Sequence, residues 1–248
     1  MPLIAGAEPF LAHGDRLAIL VLHGVGGSPV SVTSWAQHLA HAGHTVAAPR
    51  LPGHGTRWQD LNRTRWQDWY EEADRNYAWL TRRSDTVVVM GLSNGATLGL
   101  RLAERHLDLA GLVLVNPQVH TERLDTRLLP GVRYLVPGVP AAVNDIKKPG
   151  VDEGAYDRTP LHAAHSTKQM WASVKSDIHR VDCPILLIHS ADDHVVEPSN
   201  TLWIMANVTS SDVREIVLEN SFHVATMDND AQVVFDASLA FAREMTAA

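Results

Sequence analysis

Residues 86–98 read TVVVMGLSNGATL, and they set Ser93 two residues from a glycine on either side, Gly91 and Gly95, where one apolar run stops and another periodicity begins. Val87 to Met90 carry no polar residue and are mostly β-branched, the pattern of a strand buried on both faces. Leu98, Leu100, Leu102 and Ala103, interleaved with Arg101, Glu104 and Arg105, suit a helix better. Ser93 therefore sits at a strand-to-helix corner. The flanking glycines let neighbouring backbone approach closely and relieve a turn tight enough to force its central residue into strained dihedrals. This is the sequence context of a nucleophile elbow, the turn that exposes a serine hydroxyl at the end of a strand.

Outward from that corner, apolar runs alternate with helical spacing. Strands are expected at Leu17 to Leu22, Thr45 to Ala48, Thr86 to Met90, Gly111 to Val115, Ile185 to Ile188 and Val213 to Leu218. Helices are expected at Ser31 to His41, Arg65 to Leu80, Ala96 to Arg105, Asn200 to Ala206 and Ala231 to Met245. Such alternation predicts βαβ units and a mostly parallel central sheet flanked by helices, with Pro2 to Ala12 adding edge strands. One interval breaks the rhythm. From Gln118 to Arg180 no run belongs to the sheet, and Pro130, Pro137, Pro140, Pro149 and Pro160 divide short helical pieces. A structureless loop of that length is uncommon in a compact domain. Residues 118–160 thus read as a small inserted cap between the sixth strand and the following helix, Leu161 to Ile178 as a return helix, and 1–117 with 161–248 as the core.

A chain of 248 residues suits one large α/β domain with an insertion. Its net charge of −7 argues against a nucleic-acid partner and against electrostatic attachment to anionic lipid, leaving at most a transient apolar contact with membrane or lipid aggregates. The single cysteine, Cys183, excludes an intramolecular disulfide and offers no metal spacing. MPLIAGAEPFLAHGDR lacks the basic start and long apolar centre of a signal peptide, and no apolar run reaches membrane-spanning length, so the expected location is cytoplasmic. His38, His41 and His44 recur every third residue, as do His162 and His165, but no carboxylate or thiolate joins either pattern. Helix-face histidines explain them better than metal ligands, and no metal or other cofactor is expected. The echo of Arg57-Trp58-Gln59-Asp60 in Arg65-Trp66-Gln67-Asp68 reads as chance.

Acyl transfer through serine requires a base, an acid to orient it, and donors for the oxyanion. In a parallel sheet these should follow the strands at their C-terminal ends. After Ile185 to Ile188 come His189-Ser190-Ala191-Asp192-Asp193-His194, where two aspartates compete for one role. After Val213 to Leu218 comes Glu219-Asn220-Ser221-Phe222-His223, which makes His223 the candidate base; His194 is a weaker rival because it adjoins Asp193. The first long strand runs into His23-Gly24-Val25-Gly26-Gly27-Ser28, and the backbone N–H groups of Val25 and Asn94 are the candidate oxyanion donors. A dinucleotide fingerprint is excluded, since Gly24-x-Gly26-Gly27 lacks the full glycine spacing and no acidic residue ends the second strand.

With four elements in the order Ser, Asp, His behind a glycine-rich loop, the chain resembles an α/β-hydrolase, and more narrowly the bacterial monoacylglycerol lipases and related carboxylesterases. The resembling segments are LHGVGGSP, APRLPGHGT, DWYEEADRNYAWL, GLSNGATL, NPQV, YDRTP, DDHVVEPSN and NSFHVATMD, which span nearly the whole chain. The resemblance implies an α/β-hydrolase fold and a triad of Ser93, Asp193 and His223, choosing Asp193 over Asp192 by its place before the Val195-Val196-Glu197-Pro198 stretch. It further implies a cap glutamate that holds a glycerol head group, at Glu153. One departure is Asn94-Gly95-Ala96, where the family elbow commonly ends Gly-Gly; the Asn94 side chain is expected to narrow the pocket mouth. The apolar stretch from Leu128 to Val143 is expected to line an acyl tunnel. The implied activity is ester hydrolysis on a small-molecule lipid, most narrowly monoacylglycerol. The alternatives are a short-chain carboxylesterase or thioesterase, or a binding protein that keeps the fold without turnover.

Overall fold

The computed structural model describes residues 2–141 and 143–246, so Ala142 of the apolar cap stretch lies outside the described residues. In chain order the elements are β1 (Phe10–Ala12), β2 (Leu17–Leu22), α1 (Val30–His41), β3 (Thr45–Ala48), α2 (Trp58–Leu61), α3 (Trp66–Thr81), β4 (Thr86–Leu92) and α4 (Asn94–Arg105). They continue with β5 (Gly111–Val115), α5 (Leu129–Val132), β6 (Gly138–Pro140), β7 (Arg158–Pro160), α6 (Leu161–Asp177), β8 (Ile185–Ser190), α7 (Ser199–Asn207), β9 (Val213–Leu218) and α8 (Ala231–Glu244). Short 3-10 turns add Leu124–Leu128, Ile178–Arg180 and Ala225–Met227.

Seven strands form the central sheet in the order β1-β3-β2-β4-β5-β8-β9, all parallel except β1, which pairs antiparallel with β3. The strands alternate two apolar faces. Leu20, Leu22, Val87 and Val89 pack toward α3, α4 and α6, while Ile19, Val21, Val88 and Met90 pack toward α1 and α8. Both faces being covered explains why β2 to β5 read as unbroken apolar runs.

Register decides where the chemistry gathers. Leu22 pairs with Gly91, Leu92 with Val115, Val115 with Ile188, and Ser190 with Leu218. The C-terminal ends of β2, β4, β5, β8 and β9 therefore share one edge, where ligand sites of parallel sheets form. The chain leaves β2 for β3 on one side and for β4 on the other, so the glycine loop after β2 lies beside the corner after β4.

Two expectations need correction. The long excursion follows the fifth strand of the chain, not the sixth, because Pro2 to Ala12 supplies a single three-residue edge strand that begins only after Pro9. The RWQD echo also has a structural counterpart: Arg57 and Arg65 each precede a helix, α2 and α3, in extended conformation, and the Asp68 carboxylate accepts the Arg65 N–H at 2.7 Å. Within residues 118–160 the only strands described, β6 and β7, pair with each other and not with the sheet.

Candidate active site

Ser93 occupies the corner between β4 and α4 with φ 56° and ψ −122°, a left-handed conformation that a side chain adopts only under constraint. The constraint is backbone packing. A Cβ on Gly91 would lie 2.4 Å from Ala96 N, and one on Gly95 would lie 2.2 Å from the Leu22 carbonyl oxygen. The Ser93 N–H donates to Val115 O at 2.8 Å, and its carbonyl accepts Ala96 N at 3.0 Å, which closes the first turn of α4.

Behind this corner, His223 Nδ1 lies 2.8 Å from Asp193 Oδ2. The other oxygen of that carboxylate accepts the N–H groups of Val195 and Val196, each at 2.8 Å. A carboxylate is acceptor-only, so Nδ1 carries the proton and Nε2 is left as the basic atom. Burial by itself raises the pKa of Asp193, but the His223 charge and hydrogen bond, with the two amides, outweigh it and hold the carboxyl below its ordinary range. Burial also opposes protonation of His223; Asp193 prevails, aided by Glu153 and Asp145, and the imidazole pKa lies above its ordinary 6.5. Ser93 and His223 line one cavity, though among the described residues no hydrogen bond joins Ser93 Oγ to the imidazole. Such bonds commonly tighten only when substrate is bound.

The two rivals are turned elsewhere. Asp192 projects into solvent, 3.4 Å from His194 Nε2, and His194 is itself exposed, with Nδ1 2.8 Å from Asp145 Oδ1. Asp145 lies within residues 118–160, at no position that a sequence pattern marks. Its Oδ2 accepts the His223 N–H at 3.1 Å and the His194 N–H at 3.2 Å. Asn116, beyond β5 with φ 44°, donates to His223 O at 2.7 Å and accepts Ser190 N at 2.8 Å. Asp228, buried, accepts Phe222 N, Lys147 N and Lys148 N. Asn116 and Asp228 sit in the resembling NPQV and NSFHVATMD segments, which are the available cues; Asp145 lies in no such segment and follows no strand end, so no spacing rule finds it.

The loop after β2 is braced by a buried histidine. Leu51 N donates to His23 Nε2 at 3.2 Å, so Nε2 is the acceptor and Nδ1–H must donate to Gly24 O at 2.9 Å. Burial pushes the His23 pKa down to about 4, consistent with a neutral ring. Gly24 approaches Ser93 closely, a Cβ there lying 3.3 Å from the Ser93 Cβ. Among the described residues the N–H groups of Val25 and Asn94 have no hydrogen-bond acceptor, and both residues line the cavity.

That cavity has a volume of about 290 Å3 and is covered by residues of 118–160 and α6. Glu153 lines it; its Oε1 accepts Asn144 N at 3.0 Å while Asn144 Oδ1 accepts Glu153 N at 3.0 Å. Burial raises the Glu153 pKa against the opposing pull of the Asn144 amide and His223. Leu129 lines the cavity, but Leu128, Tyr134 and Leu135 of the same apolar stretch are exposed. The Asn94 side chain is buried between Gln118 and Trp171, not spread across the mouth. Among the described residues no group of three or more His, Cys, Asp or Glu is arranged to hold a metal ion, and His44 lies beyond α1, paired with Asp15. No helix there is long and apolar enough to cross a membrane.

Residues 14–230 match the family Hydrolase_4, described as serine aminopeptidase, S33. The chain is 38% identical over 243 residues to a thermostable monoacylglycerol lipase of Bacillus sp. (strain H-257), covering 97% of this chain and 96% of that protein. A carboxylesterase of Bacillus subtilis (strain 168) is 23% identical over 92% of each chain. Among solved structures, one reported with the metagenome-derived lipolytic enzymes LipS and LipT is 37% identical, with a TM-score of 0.95 over 98% of this chain and 100% of that one. The monoacylglycerol lipase of Paleococcus ferrophilus shares the fold, with a TM-score of 0.79 at 16% identity over 99% and 100% of the two chains.

Proposed function

We infer the reaction from one premise: the chain belongs to the Hydrolase_4 family, within the α/β-hydrolase superfamily. It is a carboxylic ester hydrolase, and its closest functional description is a monoacylglycerol lipase that releases fatty acid and glycerol. The observation that carries the mechanism is the His223–Asp193 pair at 2.8 Å, whose imidazole lines the same cavity as the strained Ser93. Ser93 Oγ attacks the ester carbonyl, and His223 Nε2 takes its proton. The N–H groups of Val25 and Asn94 stabilise the oxyanion, each such donor contributing about 3 kcal/mol to the transition state. His223 then protonates the leaving alcohol, and water attacks the acyl-enzyme by the same route in reverse.

The leaving alcohol must face His223, and so do the cap carboxylates Glu153 and Asp145. Resemblance to the bacterial lipases assigns Glu153 the glycerol hydroxyls, and its position in the cavity supports that role. The cap, residues 118–160, closes over the core formed by 1–117 and 161–248. Exposed Leu128, Tyr134 and Leu135 on it suit transient apolar contact with lipid aggregates. The reading includes a cytoplasmic site of action.

Glu153→Leu tests the head-group assignment. Hydrolysis of monoacylglycerol should fall about tenfold in kcat/KM, since a site built for a hydroxyl loses its selectivity with its polar partner, while p-nitrophenyl esters, which lack those hydroxyls, should change little. Equal losses on both substrates would withdraw the assignment. A second reading, a carboxylesterase for short acyl groups, is favoured by the amides of Asn94 and Gln118 in the cavity wall; an acyl-length series on the wild-type enzyme separates the two.

A further inference from the structure

At the variable position after Ser93 the elbow carries an amide, Asn94, and this buried side chain starts a chain of forced orientations. An indole N–H only donates. Trp171 Nε1 lies 2.9 Å from Asn94 Oδ1, so that atom is the oxygen and Asn94 Nδ2 points the other way, 3.2 Å from Gln118 Oε1. Nδ2 is a donor, and Gln118 must therefore meet it with its oxygen. The remaining Gln118 nitrogen, Nε2, is the end of the relay. Among the described residues it has no protein acceptor, and it is not sealed among the buried unpartnered atoms, while Gln118 lines the cavity that holds Ser93. Thr97 Oγ1 donates to the Gln118 carbonyl, and Asn200 Oδ1 accepts the next amide, Val119 N, at 2.7 Å, so the backbone below this donor is also held.

The side of the cavity follows from the chemistry. The leaving alcohol must lie toward His223, which protonates it, and there the wall carries Glu153 and Asp145. Gln118 and Trp171 are tied instead to Asn94, and among the described residues neither bonds His223, Glu153 or Asp145, which argues that the acyl group runs past them. The same cavity holds a second donor: Lys168 Nζ bonds only Thr126 O and Thr126 Oγ1 among the described residues, and no carboxylate pairs with it. Acceptors in this cavity, Glu153 and Asp145, thus stand near His223, while Gln118 and Lys168 add donors that bond none of these groups.

We propose that Gln118 Nε2 is a specificity-determining donor, locked by Trp171 and Asn94, which favours ester substrates whose acyl chain carries an oxygen acceptor over plain alkanoyl esters. The proposal rests on the ester-hydrolase reading and narrows its substrate class. It is tested with p-nitrophenyl heptanoate and the isosteres in which one ether oxygen replaces in turn each chain methylene from C3 outward, so that every substrate remains a carboxylic ester, an ether being acceptor-only. Dividing each isostere's kcat/KM by that of heptanoate, and then comparing enzymes, removes the intrinsic reactivity of the ester. At one oxygen position the wild-type ratio should exceed that of Gln118→Leu by about fivefold to tenfold, the effect of one neutral hydrogen bond. Trp171→Phe, which keeps an aromatic ring but deletes the N–H, should lose part of the same ratio by letting both amides turn over, and heptanoate turnover reports that each variant is folded. Ratios identical in wild type and Gln118→Leu at every position would overturn the proposal while leaving ester hydrolysis intact. Failure of the wild type to turn over any of the esters would instead overturn the hydrolase reading.

Discussion

A Cβ added at Gly95 would lie 2.2 Å from a backbone oxygen, whereas one added at Gly131, in the cap, would meet nothing within 4 Å. The difference runs through everything around these two residues. The elbow is wedged between the ends of β2 and α4, in a region where Leu92, Ser93, Asn94 and Ala96 are all buried. The cap is built of a four-residue helix and three-residue strands, leaves Leu135 84% exposed, and is tied down by a handful of polar bonds. Asn62 donates to Pro137 O at 2.7 Å, the Tyr156 hydroxyl to Gly53 O at 2.9 Å, and Lys147 and Lys148 amides to Asp228. Steric exclusion holds Ser93, and hydrogen bonds hold the segment above it. The first leaves one conformation; the second leaves a surface open to change.

The largest effects should therefore come from the wedged region. Ser93→Ala keeps the Cβ that the turn already accommodates and removes only the attacking oxygen. Ester hydrolysis should fall by about 10^4-fold or more, with the thermal midpoint unchanged; a large drop in that midpoint would mean that the hydroxyl has a structural duty as well. Asp193→Asn deprives the imidazole of the partner that selects its tautomer, and kcat should fall by about 10^3- to 10^4-fold. The exposed neighbour provides the contrast: Asp192→Asn should change kcat by less than about twofold, as surface substitutions do. If the two variants exchanged these phenotypes, the acid would have been misassigned.

Gly95→Ala should cost about 3 kcal/mol or more in urea-induced unfolding, since the added carbon must displace the backbone of β2. Gly131→Ala is its counterpart in the cap, where φ is not left-handed and space is open. It should stabilise by at most about 1 kcal/mol, by reducing the freedom of the unfolded chain. Similar losses at both glycines would erase the distinction drawn between the regions.

The pH profile probes the point where they meet. His223 must be neutral to act as a base, and its pKa is raised above 6.5. Activity is thus lost as pH falls through that raised value, and kcat/KM should drop about tenfold per unit below it. Glu153 and Asp145, both in the cap segment, help to raise it. Replacing the cap charge by Glu153→Gln should therefore move the midpoint downward, a smaller effect than any above, read from the full profile of kcat/KM. A midpoint that stays in place would show the cap to be electrostatically silent toward the base.

Much of this molecule was legible in one dimension. The strand from Thr86, the glycines beside Ser93, and a carboxylate and a histidine following later strands are local patterns, produced by burial of alternate faces and by the steric demands of one turn. Parallel pairing then brings the C-terminal end of every strand of the central sheet except β1 to the same edge, so residues more than a hundred positions apart meet without further instruction. The sequence alone thus determined the α/β fold, the residues from which a site would be built, and the interval that interrupts the sheet. Only the tertiary structure decided which side chains hold those residues in place. Asp145 behind His223, Asn116 across the sheet edge, His23 beneath the glycine loop, and Asn94 clasped by Gln118 and Trp171 all depend on contacts between distant segments. A hydrogen bond is directional and effective only within about 3 Å, so a polar residue's partner is set by where the packed backbone carries it, which hydropathy and spacing do not encode.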